Sequence, residues 1–246
     1  MSSKYEYGAY IDHHKITKEA YTNALRLWEE GKANINCPRC HKCWLRTYEC
    51  YCHNVTSRSD ATMNNVRITM YYHYQELGRS ANTAHVLSML MPDKCEDLIF
   101  GDIVGEKKLV DSIKREQDSG NLETCILYPL NDCPTIAEWK ASRKNPNGPL
   151  RIVAIDGTYS HAVRQVKHLQ HLLGETYLPV VRLQLEGHTR SAVAGIMRQP
   201  TGEKICTMQA IVMALQQAGA SHELCDTLHS DLMQWIDYIV RRKVKC

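Results

Sequence analysis

Short apolar segments alternate with amphipathic helical segments along most of this chain. The apolar segments have the length and composition of strands: Arg67–Tyr71, Asp97–Phe100, Cys125–Tyr128, Arg151–Ile155 and Val180–Leu185. Strands that alternate with helices favour an α/β fold with a mostly parallel sheet flanked by helices. The segment from Ile152 to Ile155 is apolar without alternation, which predicts a strand that is covered on both faces and lies at the centre of the sheet.

Helical spacing of apolar residues predicts several helices. One runs from Ile16 to Glu30 and is expected to end at Gly31, and another begins at Tyr159, which is predicted to be the first residue of its apolar stripe. Two more follow near the C-terminus, the first with Thr207 as a candidate N-cap and Gly219 as its stop. Their apolar stripes indicate core packing. The basic residues from Arg241 to Lys245 suit the negative end of the last helix, or contact phosphate.

A cluster of cysteines precedes the first predicted strand. Cys40, Cys43, Cys50 and Cys52 read C-x₂-C-x₆-C-x-C, a spacing that lets four thiolates surround one Zn²⁺ at about 2.3 Å. Cys37 is a substitute for Cys40, and the weaker ligands in reserve are His41 and His53. Disulfides are the alternative, but the total of 11 cysteines is odd and no secretory signal precedes them. A structural zinc knuckle is therefore predicted.

Composition limits the choice of partners and compartment. With 246 residues, of which 43% are hydrophobic, the chain can form one large domain and a small appendage. We expect an N-terminal helix and zinc module over 1–65 and an α/β domain over 66–246. The net charge of +3 permits a polyanionic partner without requiring one. No apolar run approaches the roughly 20 residues of a membrane span, so no membrane contact and a cytoplasmic or nuclear location are expected.

The predicted central strand ends in Asp156-Gly157-Thr158-Tyr159. Ligands of open α/β sheets bind at the carboxyl ends of the strands, where glycine permits close approach and helix N–H groups hold negative charge. Asp156 is therefore a candidate ligand-binding carboxylate. The alternative is that Asp156 or Thr158 only caps the following helix.

Two further polar clusters allow a functional and an ordinary interpretation. The segment from His73 to Ala84 brings Glu76, Arg79 and Asn82 into one strand-to-helix turn, although Asn82 or Ser80 could simply cap the helix Ala84–Leu90. A basic row follows Asp156, and it suits either a nucleic-acid backbone or a solvated helix face. Its members are His161, Arg164, His168 and His171, with Lys167 nearby.

These motifs, in this order, resemble the DTW-domain family of tRNA-uridine aminocarboxypropyltransferases, which is allied to the knotted SPOUT class. The resemblance rests on the cysteine knuckle and four later segments: Glu76-x₂-Arg79-x₂-Asn82-Thr83, Leu127-Tyr128-Pro129, Asp156-Gly157-Thr158-Tyr159 followed by a helical Ala162, and Cys206-Thr207-Met208-Gln209-Ala210. It spans about 37–218. The sequence departs from the family at Tyr159, where the name-giving Trp is usual, and at Gln209, where an acid is usual.

The resemblance implies a SPOUT-like fold with a knot, tRNA as partner, and S-adenosylmethionine as co-substrate alongside structural Zn²⁺. The expected reaction transfers the 3-amino-3-carboxypropyl group to N3 of a uridine in tRNA and releases 5′-methylthioadenosine. The implied catalytic residues are Asp156, Glu76 and Arg79. The implied donor-binding residues are Asn82, Thr83, Tyr128, Pro129, Asp156, Gly157, Thr158, Tyr159 and Thr207. Asp156 either accepts the N3 proton or orients the donor's ammonium.

Two other functions remain open at this point. One is an RNA methyltransferase of the same knotted class, which uses the same donor but transfers its methyl group. The other is a non-catalytic zinc-containing RNA-binding protein whose donor pocket has decayed. The sequence does not distinguish which uridine is modified, and it leaves the oligomeric state open.

Overall fold

A five-stranded sheet forms the centre of the protein. The computed structural model describes residues 4–58, 65–130, 132–174, 177–185, 192 and 205–244, with side chains from 17 to 242 within these ranges. The strands are β1 (Val66–Tyr72), β2 (Cys95–Ile99), β3 (Glu123–Leu127), β4 (Leu150–Asp156) and β5 (Val180–Val181). All pair in parallel, in the order β2-β1-β4-β3-β5. The α/β fold and the central place of the strand that ends at Asp156 are confirmed.

Helices cover both faces of the sheet. They are α1 (Lys4–Lys32), α2 (Ala84–Leu90), α3 (Ile103–Asp118), α4 (Ile136–Ser142), α5 (Tyr159–Leu173), α6 (Thr207–Gln217) and α7 (His222–Val244). Successive side chains of a strand point to opposite faces, so each face needs its own apolar cover. Within the described ranges, no helix has the length and apolar character needed to cross a membrane.

Two hydrophobic cores result, one on each face. Tyr71, Ile126 and Val153 face α3 and α5. The neighbouring strand residues, such as Met70 and Ile152, face the other way, toward α2, α6, α7 and the cysteine-rich segment. The continuous apolar run in β4 is therefore explained by burial on both faces, as predicted.

Several predicted boundaries are wrong, among them the start of the first helix, which lies at Lys4 and not at Ile16. The predicted strand Val180–Leu185 shortens to the two residues of β5, because Arg182 instead bridges to Thr135 and bonds to the backbone beside α4. The first helix continues through Gly31 to Lys32. A single glycine costs a helix only about 1 kcal/mol, and packing of Trp28 against the core supports this last turn.

The cysteine-rich segment before β1 packs directly on the body of the protein. Cys43, Trp44, Leu45 and Tyr51 are buried in the same core as the strands and α7. The expected division of the chain at residue 65 stays a prediction, and so does the knot.

Candidate functional site at the carboxyl edge of the sheet

After β1 and β4 the chain turns toward opposite faces of the sheet. The two strands are neighbours, and Tyr72 lies opposite Asp156 in their register. The chain leaves β1 toward α2 on one face of the sheet, whereas it leaves β4 toward α5 on the other. Such a switch point is where open α/β sheets bind their ligands. We therefore expect a ligand-binding crevice beside Asp156.

Asp156 is held from two distant parts of the chain. The amide of Asn82 donates to its Oδ2 at 2.6 Å, and the hydroxyl of Thr207 donates to its Oδ1 at 2.6 Å. The residue is only 7% exposed. Burial raises the pKa of Asp156 above its ordinary value, and the hydrogen bonds from Thr207 and Asn82 offset this only in part. Asp156 does not cap α5, so that alternative is wrong.

Thr158 occupies the N-cap position of α5 without making a side-chain capping bond. Its hydroxyl lies 3.3 Å from that of Ser160 instead. The expectation that Thr207 caps α6 is also wrong, because Cys206 holds the cap position and Thr207 is the first helical residue. Thr207 is thereby free to direct its hydroxyl toward Asp156.

Glu76 and Arg79 lie in the turn that follows β1. Arg79 donates to Oε1 of Glu76 at 3.0 Å, and its own side chain is half-exposed. Burial raises the pKa of Glu76, as does the nearby charge of Asp156, while Arg79 lowers it. The two carboxyl groups are therefore close enough to interact, with one exposed guanidinium beside them.

Asn82 caps α2 and also binds Asp156. Its Oδ1 accepts from the backbone N–H of His85 at 2.8 Å, which satisfies a free donor in the first turn of α2. That bond fixes the orientation of the amide, so its nitrogen must point toward Asp156. Capping and carboxylate binding are compatible because they use opposite atoms of the amide.

A pair of stacked histidines covers Gly157, and sequence reasoning gave this pair no role. The rings of His73 and His161 lie 3.7 Å apart and nearly parallel. Burial lowers the pKa of His73 to about 3, assisted by the charges of His161, Arg164 and Arg79. A Cβ on Gly157 would lie 3.1 Å from Gln165 Oε1 and little farther from both histidine Cβ atoms, so glycine fits here best. The signal for this pair was their placement, with His73 directly after β1 and His161 in the first turn of the helix that follows β4.

Two tyrosines mark the end of β3 and the start of α5. The rings of Tyr128 and Tyr159 are 6.0 Å apart. Tyr128 is buried, and burial, followed by the Tyr159 hydroxyl, raises its pKa to about 12. Tyr159 is 56% exposed, so the prediction that it packs within the apolar stripe of α5 is wrong. Pro129 follows Tyr128 on the surface.

The remaining predicted positions lie around the start of α6. Thr83 is buried, and its hydroxyl bonds to the thiol of Cys206. Gln209, which stands where the family has an acid, is also buried, and its Oε1 accepts from the backbone N–H of Ala192 at 2.8 Å. The structure thus gathers Asp156, Asn82, Thr207 and Thr83 at one end of the sheet. Their binding of a donor stays a prediction.

Four cysteines have the geometry of a metal site. The sulfurs of Cys40, Cys43, Cys50 and Cys52 all lie within 4.8 Å of one another. The Cys40–Cys52 separation is 3.6 Å and the Cys43–Cys50 separation 3.8 Å. Tetrahedral bonds of about 2.3 Å place sulfurs roughly 3.8 Å apart, so these residues fit zinc. Cys37 lies outside this cluster.

The thiols of this cluster differ in how easily they ionise. Burial opposes ionisation of Cys40, but backbone N–H groups of Cys43 and Lys42 bond to its sulfur and the pKa falls to about 7. The cysteines in the described part of the chain are all free thiols. The cluster therefore agrees with a metal site and not with the disulfide alternative.

The members of the basic row on α5 differ in their exposure. His168 is 5% exposed and pairs with Glu106 at 3.1 Å, beneath the helix and not on its surface. Glu106 is also bonded by the hydroxyl of Tyr71 and the N–H of Gly101. The prediction that His168 belongs to an exposed row is wrong, whereas Arg164, Lys167 and His171 are exposed.

The basic C-terminal end of α7 is also divided. Arg241 forms an exposed pair with Asp237. Arg242 points inward, where it contacts Glu49 at 3.2 Å and the hydroxyl of Ser80 at 3.2 Å. Lys245 lies outside the described residues.

A separate polar groove of about 400 Å³ lies at the opposite, amino-terminal edge of the sheet. Arg67 and Arg151 in its lining are both paired with Glu116. One carboxylate offsets only part of the charge of the two arginines, and the groove is remote from the strand-end carboxylate.

Fold and site together define a class: a parallel α/β protein with a buried carboxylate at its strand-end crevice and a cysteine knuckle packed beside it. The family model for the DTW domain matches residues 37–242, nearly the whole chain. The chain belongs to the DTW-domain family, the family of tRNA aminocarboxypropyltransferases. Neither the curated proteins nor the solved structures gave a match to it. Family membership indicates a function in tRNA modification, with tRNA as the substrate.

Proposed function

We propose that this protein transfers the 3-amino-3-carboxypropyl group of S-adenosylmethionine to N3 of a uridine in tRNA. Uracil N3 forms a bond to the methylene next to the sulfonium, the carbon–sulfur bond breaks, 5′-methylthioadenosine leaves, and the N3 proton passes to a base or to water. The observation that carries the proposal is the buried, doubly hydrogen-bonded Asp156 at the strand-end crevice of a DTW-domain protein. Placing one carbon of the sulfonium in line with N3 selects this group over the methyl.

Asp156 is assigned the role of orienting the donor's ammonium. Each of its oxygens already accepts one hydrogen bond, from Asn82 and from Thr207, which fixes the plane of the carboxylate. Each oxygen keeps a second lone pair for a cationic donor. A fixed acceptor of this kind suits the orientation of a ligand better than it suits a carboxylate that must gain and lose a proton.

Arg79 is assigned to the donor's carboxylate. Its guanidinium is half-exposed and keeps further N–H groups beyond the one that bonds to Glu76. Glu76 then positions Arg79, and does not contact the reacting atoms. Separate sites for the ammonium and the carboxylate would fix the donor's arm at both of its charged groups.

The surface around Asp156 suits the remainder of the donor and the target base. Thr158 is the N-cap residue of α5 and Tyr159 its first residue, and the first N–H groups of a helix are free to bind a ligand. Tyr128 and Pro129 follow the adjacent strand. The exposed ring of Tyr159 offers a surface on which a nucleobase can stack.

Transfer RNA is proposed to lie across α5 and the neighbouring surfaces. Arg164, Lys167 and His171 provide exposed cationic or polar groups for phosphate. Because His168 is buried, it does not take part. The cysteine knuckle lies on the opposite face of the sheet from α5, against α7.

The test is incubation of the purified protein with donor and bulk tRNA, followed by mass spectrometry of the nucleosides. The expected product is 3-(3-amino-3-carboxypropyl)uridine together with 5′-methylthioadenosine. A methylated nucleoside together with S-adenosylhomocysteine would instead identify a methyltransferase. Absence of donor-binding heat in calorimetry, with tRNA binding retained, would identify a non-catalytic RNA-binding protein.

A further inference from the structure

The segment that carries Glu76, Arg79 and Asn82 has little regular structure of its own. We call residues 73–83 the site loop. Apart from one short 3₁₀ turn at Tyr74–Glu76, its internal backbone bonds are local ones, such as Arg79 N–H to Glu76 O at 3.1 Å and Asn82 N–H to Arg79 O at 3.0 Å. Segments of this kind open easily unless neighbours hold them. The neighbours of the site loop therefore decide how well its side chains are placed.

Arg39 of the cysteine knuckle bridges the knuckle and the site loop. One nitrogen of its guanidinium donates to the carbonyl of Trp44 at 3.1 Å and to the carbonyl of Gly78 at 3.0 Å. Arg39 adjoins the metal-site residue Cys40, and Trp44 adjoins Cys43. Gly78 lies midway between Glu76 and Ser80. A single side chain thus joins the backbone around the metal ligands to the centre of the site loop.

The ring of Trp44 makes a second connection to the end of the loop. It stacks on His85 at 3.6 Å, and Nε2 of His85 bonds to the carbonyl oxygen of Lys42. His85 is the residue whose backbone N–H fixes the amide of Asn82. Trp44 has a φ of 61°, a left-handed conformation that is unfavourable for a non-glycine residue. That conformation persists because the surrounding knuckle and its ring contacts hold it.

Two more contacts hold the other side of the site loop. Arg242 on α7 contacts Ser80 on the loop and Glu49 on the knuckle, both at 3.2 Å. Gly78 has a φ of 73°, and a Cβ there would lie 2.6 Å from the ring of Trp28. The loop is therefore enclosed between α1, α7 and the knuckle. The knuckle takes part in the polar bonds of both Arg39 and Arg242.

We propose that the cysteine knuckle is a positioning element for the donor site, and that metal binding by the four cysteines sets the geometry of the site loop through Arg39 and the Trp44–His85 stack. Arg39 is a positioning residue, since it contacts backbone carbonyls and not the reacting atoms. The inference about donor affinity rests on the proposed function, but the order of the site loop does not.

The chain offers a matched control at Arg46. This residue pairs with Arg39 in an isolated backbone bridge, but its side chain turns outward to the hydroxyl of Tyr48 at 2.6 Å. Arg39→Ala and Arg46→Ala therefore remove the same charge from the same knuckle, one inward and one outward. If the knuckle served only to bind RNA, the outward-facing Arg46 would matter more, and Arg46→Ala would weaken tRNA binding more than Arg39→Ala.

The experiment compares three proteins: wild type, Arg39→Ala and Arg46→Ala. Zinc content is measured by elemental analysis, loop order by hydrogen–deuterium exchange of peptides covering 73–83, and affinity for S-adenosylmethionine by calorimetry. We expect all three to bind one zinc, Arg39→Ala to exchange about tenfold faster over 73–83 and to bind the donor about tenfold more weakly, and Arg46→Ala to match wild type. Peptides covering β3 should exchange equally in all three.

Equal exchange over 73–83 in Arg39→Ala and Arg46→Ala would overturn the proposal. If Arg39→Ala fails to fold, two other comparisons take its place. One uses the milder Arg39→Lys, and the other uses wild-type protein from which a chelator has removed the zinc. Faster exchange over 73–83 with β3 unchanged then supports the proposal, and unchanged or uniformly faster exchange overturns it. If the wild type does not bind S-adenosylmethionine, the proposed function fails while the exchange result still decides the role of the knuckle.

Discussion

Asp156→Asn is the substitution that separates the charge of the site from its shape. Asparagine can accept from Asn82 with its oxygen and donate to the hydroxyl of Thr207 with its nitrogen, because a hydroxyl both donates and accepts. The side-chain amide of Asn82 cannot flip and break its bond to residue 156, because its oxygen already accepts from the backbone N–H of His85. Both hydrogen bonds are therefore kept, and only the negative charge is lost.

The two consequences have opposite signs. A hydrogen bond to a charged group contributes about 1.5–3 kcal/mol, so loss of the contact between Asp156 and the donor's ammonium should weaken donor binding by about 10- to 150-fold. Stability should not fall. Because the pKa of Asp156 is raised in the folded state, its contribution to stability is greatest below the ordinary value of 3.8 and is lost as pH rises through the folded value. At pH 7 the neutral asparagine should be at least as stable.

The assays are calorimetric titration with S-adenosylmethionine and urea unfolding at pH 7. Asp156→Ala is the contrasting variant, since it leaves the buried amide of Asn82 and the half-buried hydroxyl of Thr207 without this acceptor, at a cost of up to about 1–3 kcal/mol each. Wild-type activity should decline as pH falls through the raised pKa of Asp156, at a higher pH than an ordinary aspartate would give. Wild-type donor affinity in Asp156→Asn would refute the assigned role, and marked destabilisation would refute the reasoning from burial.

Three further outcomes are expected. Burial opposes ionisation of Glu106, but hydrogen bonds from His168 and Tyr71 outweigh burial and lower the pKa of Glu106. The contribution of Glu106 to stability is therefore present above its ordinary pKa of 4.5 and is lost as pH falls through its pKa in the folded state. Glu106→Gln should therefore destabilise by about 3 kcal/mol at pH 7 and by much less in acid, as measured by urea unfolding; an equal loss at both pH values would contradict this. Cys43→Ser should bind much less than the one zinc per chain expected of the wild type, as measured by elemental analysis, and should melt at a lower temperature. A metal-free wild type with unchanged melting would exclude a structural metal. Tyr159→Trp should fold normally, since the position is half-exposed, and bind RNA or donor at least as well by fluorescence titration; a fall in melting temperature would show that the ring is more confined than its exposure suggests.

Several features of the fold and site could be predicted from local sequence. A short apolar run without alternation identifies β4 as a central strand, and the residue that ends it, Asp156, must then lie at the carboxyl edge of the sheet. The spacing of Cys40, Cys43, Cys50 and Cys52 is likewise a local property, since short turns alone bring such thiols together. In each case the determining physics acts over a few residues, through side-chain periodicity or turn geometry.

The tertiary structure decided which groups meet. Asn82 and Thr207 are 74 and 51 residues from Asp156, and they reach it only because β4 lies beside β1 and α6 begins at the same edge. His168 shares a periodic row with Arg164, yet it is buried because α3 supplies Glu106 beneath it. Arg39 carries no sequence signal that it contacts Gly78. Periodicity fixes which face of an element a residue occupies, whereas the partner across that face depends on the order in which distant segments pack.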